Sequence, residues 1–140
     1  MNWITLAIIT AFSYGAYNVF IKIASGHINQ IVGAVILQIV AAMLGGVLLV
    51  ILKMTNASLT ISQKGVVYAV LAGLFVGLAE ITSFFVFSKG VSASVGVPII
   101  IGGSVLVAAM LGLFFLKESL SPMQYLAIAL IVAGVGLLAK

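Results

Sequence analysis

The sequence predicts an all-α integral membrane protein with five transmembrane helices, on three observations. Of its 140 residues, 64% are hydrophobic and only 6% charged, against about 45–50% apolar and about 25% charged in a soluble domain. The mean hydropathy is +1.42, which leaves too little polar surface to wrap a globule in water, so lipid is the solvent for most of the chain. The apolar residues also fall into five runs, roughly 3–25, 30–52, 65–88, 93–116 and 122–139, each ended by polar or helix-stopping residues. A spanning helix needs about 20 mainly apolar residues. The runs fill residues 1–140 with short linkers between them, so a single transmembrane domain is expected and no soluble domain fits.

The first run has no basic leader before it and is expected to be a retained helix, not a cleaved signal peptide. Tyr14, Asn18 and Lys22 are spaced four apart, so they share one helix face, which Ser25 continues. An amide is costly in lipid, which points Asn18 inward. Lys22 has two possible roles: lining a cavity, or snorkelling to the headgroups. The second run opens after the capping residue Asn29 and carries one amide, Gln38. Between Lys53 and Lys64 lies the one linker long enough to be a real loop. Its Asn56-Ala57-Ser58 matches the glycosylation pattern, a match common by chance that carries no weight here.

The third run, capped by Ser62, contains the most informative residue. Glu80 lies sixteen residues after Lys64 and nine before Lys89, roughly 24 Å and 13 Å along a helix. A carboxylate at that depth costs at least about 2.5–3.5 kcal/mol to insert, and it must face protein or a water-filled cavity. Two readings stay open: a proton- or substrate-coupling group, or a structural carboxyl held between helices. On the same face are Gly73, Gly77, Ser83, Phe84 and Phe87. The glycines form a small-xxx-small pair suited to close helix packing. Ser83 and Phe84 give a polar and aromatic lining towards Lys89. Glu80 and Lys22 lie towards the same membrane face by helix counting, so a transient pair between them is sterically possible.

Ser92 is expected to cap the fourth run, in which Pro98 and Gly102-Gly103-Ser104 mark places where backbone can bend or pack closely. The fifth run opens with Ser121-Pro122-Met123-Gln124: a serine N-cap, a proline at the first helical position and a capping-box glutamine. It is the shortest run, and Lys140 can snorkel from its end. Glu118, beside Lys117 at the membrane edge, is expected to interact favourably with the start of this fifth helix.

The formal charge of +4 comes from six lysines scattered at segment boundaries, with no arginine. It forms no basic stripe and gives no sign of a nucleic-acid partner. Without cysteine, disulfides and thiolate chemistry are excluded. His27 is the single histidine and is expected to be a loop residue, so neither a metal nor a cofactor is expected. No acid–base pair or nucleophile constellation suggests an enzyme. Lys53, Lys64 and Lys117 fall on one membrane face, and Lys22, Lys89 and Lys140 on the other. Lysine excess on one side normally sets orientation. A tie of three against three allows insertion both ways, with head-to-tail pairing of copies, or one orientation weakly set by the N-terminal amine.

Tyr14-Gly15, Asn18 and Lys22 resemble the opening "WG-x-x-N-x-x-x-K" of the EamA-type domain of the drug/metabolite transporter superfamily. FFVFSKGVSASVGVP (84–98) resembles that domain's central helix-turn-helix. Lys117-Glu118, Leu120, Gln124 and LIVAGVGLL (130–138) resemble its ending. The similarity covers essentially the whole chain. It implies one half of an inverted-repeat ten-helix transporter, a half-size member that dimerises to complete the substrate cavity. Ala133-Gly134-Val135 also resembles the last-helix pairing motif of the small multidrug resistance proteins, which carry their glutamate on the first helix and not the third.

The expected function is therefore a homodimeric carrier, antiparallel by the lysine tie, moving small metabolites or drug-like compounds across a prokaryotic cytoplasmic membrane by alternating access. Glu80 is the expected coupling residue, as in a proton antiporter, with Tyr14, Asn18, Lys22, Gln38, Ser83 and Phe84 lining the cavity. Gly73, Gly77, Gly102, Gly103 and Gly134 are the expected packing positions. Rival readings are a non-transporting scaffold or accessory subunit, an uncoupled facilitator and a lipid-linked flippase.

Overall fold

The computed structural model describes residues 2–140 and contains five helices: α1 (Trp3–Ala24), α2 (Gln30–Met54), α3 (Gln63–Ser88), α4 (Ala93–Phe114) and α5 (Pro122–Leu138). Among the described residues there is no strand. The first four helices are long and apolar enough to cross a membrane, while α5, with 17 residues, is shorter. Each helix boundary lies within two residues of the end of an apolar run.

Local chemistry explains the boundaries. The Asn29 side chain accepts hydrogen bonds from the amides of Ile31 and Val32, at 3.0 and 3.3 Å, satisfying two of the orphan donors that open α2. Ser62 does the same for Gly65 at 3.1 Å. At α5 the capping box closes in both directions: the Gln124 amide donates to Ser121 Oγ, and the Ser121 amide donates to Gln124 Oε1 at 2.7 Å. Ser92 departs from expectation. It occupies the N-cap position of α4 but makes no side-chain capping bond; its Oγ instead accepts from Ser94 Oγ at 3.3 Å.

The helices group into two compact units. One comprises residues 2–19 and Val91–Lys140; the other is Phe20–Gly90. In the first, α4 and α5 pack together. Gly102 lies under Val135 and Ile131, so closely that an added Cβ would collide with Val135 Cγ2. Beyond this contact a shallow apolar groove runs between the two helices, past Pro98, Val105, Leu130 and Gly134. The α4 helix ends with Lys117 in the left-handed region (φ 54°) and the Glu118 amide donating to the Gly112 carbonyl at 3.1 Å.

In the second unit, α2 and α3 pack as an antiparallel pair. The ring of Phe84 lies over Gly33, where an added Cβ would stand 2.5 Å from Cε1. Further along, Gln38 Oε1 is 3.5 Å from the Cβ position of Gly77. Small residues let membrane helices approach, because lipid tails supply no hydrophobic drive for association. All residues from 39 to 76 are exposed: the second part of α2, the connecting loop and the first half of α3. The buried side chains of this unit, such as Ile21, Ala34, Phe84 and Phe87, lie towards the other end.

Candidate functional site

Four polar residues among those described are buried: Asn18, Ser25, Glu80 and Ser83. Large apolar side chains, by contrast, are broadly exposed along every helix. A water-soluble fold has the reverse distribution. In a bilayer it is what desolvation dictates, since polar groups must find protein or enclosed water while apolar ones dissolve in lipid.

Within the unit 20–90 the site is built on the second half of α3. Glu80, Ser83, Phe84 and Phe87 recur at three- and four-residue spacing, so one helix face carries all four. Glu80 and Ser83 are each 7% exposed, Phe84 is 2% and Phe87 1%. Opposite them α2 supplies Gly33, Ala34 and the half-buried Gln38. Gly77 forms part of the contact with Gln38, whereas Gly73 has no atom within 4 Å of its Cβ position. Thr82, on the exposed side of α3, turns its hydroxyl back onto the carbonyls of Leu78 and Ala79 at 2.8 and 3.0 Å, which keeps that donor satisfied in lipid.

Lys22, half-buried near the end of α1, donates from Nζ to the backbone carbonyl of Phe87 at 3.2 Å. Sequence spacing suggested headgroups or Glu80 as its partner, and gave no sign of this one, because any residue offers a carbonyl. Ser25 follows, its hydroxyl donating to the Lys22 carbonyl at 2.8 Å. The His27 ring lies with Nδ1 3.1 Å from the Ile23 carbonyl, a local contact at the end of the first helix.

In the other unit, Asn18 is 1% exposed and donates from Nδ2 to the Tyr14 carbonyl at 2.8 Å. Part of the cost of burying the amide is therefore met by its own helix. Tyr14 is half-exposed and packs edge-on against Tyr17, with ring centroids 5.4 Å apart. Gly102 makes the close contact with α5, while Gly103 and Gly134 have open space at their Cβ positions. Glu118 places its carboxylate beside Gly112 of α4, whose Cβ position is 2.6 Å from Oε2. Among the described residues no group of three acidic, histidine or cysteine side chains is placed to hold a metal.

The chain matches the model of the EamA-like transporter family over residues 1–140. It is 33% identical over 136 residues to an uncharacterized protein of Methanocaldococcus jannaschii, covering 96% of this chain and 94% of that one. No solved structure matches it.

Proposed function

From membership of the EamA-like transporter family, to which this chain belongs, we propose that it is one subunit of a homodimeric carrier that moves small metabolites or drug-like compounds across a prokaryotic cytoplasmic membrane. The observation that carries this reading is Glu80: a carboxyl buried far from either end of a membrane-spanning helix, with Ser83 and Phe84 on the same face and Gln38 on the helix packed against it. A buried acid in lipid is a functional candidate by default. A carboxyl is suited to coupling because it can hold either a proton or a polar group of the cargo. Exchange of one for the other, with access alternating between the two faces, makes the carrier an antiporter.

The lysine distribution supports an antiparallel dimer of this single-domain chain, since two copies inserted in opposite senses reproduce an inverted repeat. The experiment is proton-coupled export from proteoliposomes with Glu80→Gln, an isosteric change that removes the exchangeable charge. Coupled transport is expected to fall to background, and an unchanged rate rejects the coupling role.

A further inference from the structure

We infer that Lys22 is a latch: its amine, bonded to the Phe87 carbonyl, holds the last turn of α1 on the C-terminal end of α3 and keeps that end of the unit shut over Ser83 and Glu80. The contact joins residues 65 apart in sequence and is a charge-assisted bond, stronger than a neutral one. It lies where α3 presents the negative end of its dipole, so a cation is well placed there. The side chains around it are among the most deeply buried of the unit, Ile21 at 2% and Phe87 at 1% exposure.

Two further features make this a latch and not a fixed cap. First, the Phe87 carbonyl also accepts from the Gly90 amide at 3.1 Å, and the Lys89 amide is bonded to Val86 at 3.2 Å. The last turn of α3 therefore stays closed without the lysine, and the amine can leave without unravelling the helix. Second, Lys22 is only half-buried and its long stem can swing the ammonium to the nearby headgroups, so the released state is also satisfied. Release separates the end of α1 from α3 at the nearer of the two routes from Glu80 to a membrane face.

This inference rests on the carrier reading for its purpose, but its test does not depend on transport. The chain has no cysteine, so Ser83→Cys introduces a unique thiol. Its labelling by a water-soluble maleimide is followed in nanodiscs, where both faces are open to the reagent and orientation is immaterial. Lys22→Met keeps the stem and removes the ammonium. It is expected to raise the labelling rate at position 83 about tenfold, while Lys22→Arg, which retains a charged donor, stays near the parent rate. A control thiol at Ala57, in the exposed loop, should be unaffected in every background. An unchanged rate at position 83 in Lys22→Met overturns the latch. If that variant is not recovered folded, Lys22→Gln replaces it with the same two readings. Loss of transport with unaltered labelling would assign Lys22 to the cargo and also reject the latch, whereas undiminished coupled transport in Glu80→Gln would reject the coupling role of Glu80 alone.

Discussion

At Gly33 the absence of a side chain is structural. The Phe84 ring occupies the space where a Cβ would stand, 2.5 Å from Cε1, and the ring, only 2% exposed, has little freedom to move aside. Gly33→Ala is therefore expected to destabilise the α2–α3 pair by about 1–3 kcal/mol through overpacking, read as a lowered melting temperature in detergent. Adding Phe84→Leu, which shortens the opposing side chain, should recover part of the loss. A double variant no better than the sum of the two singles would show that the ring is not the obstacle. Gly33 gave no signal in sequence, because a glycine in an apolar run reveals its neighbour only once the partner helix and its rotation are known. Glu80, Ser83, Phe84 and Phe87 were legible as one face because helical spacing is a property of α3 alone. The lesson at this scale is that periodicity identifies a face, whereas the group opposite it comes from packing.

The same distinction holds for elements. Signals contained within four or five residues are written into the sequence: Asn29, Ser62 and the Ser121–Gln124 box cap their helices as their spacing predicts. Ser92 stands at the right position, yet its Oγ accepts from Ser94 and makes no capping bond, because spacing fixes the position of a cap and not the rotamer of its side chain. Because α5 has only 17 residues, about 26 Å of helix against a hydrocarbon core of about 30 Å, its ends carry unusual weight. Ser121→Ala should cost about 1 kcal/mol, measured as faster amide exchange in the first turn of α5. Exchange unchanged there would mean that tertiary contacts hold the turn unaided. The α3–α4 connection depends on Gly90, whose φ of 91° lies in the left-handed region that side chains disfavour. Gly90→Ala is expected to cost about 1–2 kcal/mol in detergent melting, even though open space surrounds the Cβ position. An unaltered melting temperature would show that the turn relaxes to a negative φ.

At the scale of the whole molecule, the decisive quantity is the lysine tie across the membrane. Insertion is biased by small excesses of lysine and arginine in short loops, so a balance of three against three places the chain where very few charges decide its orientation. Ala57→Lys with Ser58→Lys loads the loop between α2 and α3, and should fix that loop in the cytoplasm. Gly26→Lys with His27→Lys loads the connection between α1 and α2 and should fix the opposite sense. Terminal reporter tags read the result: both locations for the parent chain and one for each variant. If the working carrier is an antiparallel pair, each variant alone should fail to transport while their co-expression restores activity, because only the mixture contains both orientations. A parallel dimer or a working monomer makes the contrary forecast, with at least one fixed-orientation variant active alone and no gain from mixing. The tags detect a charge change that fails to fix orientation, and the complementation detects a fixed orientation that leaves function intact, so the positive-inside argument and the antiparallel assembly are tested by separate readouts.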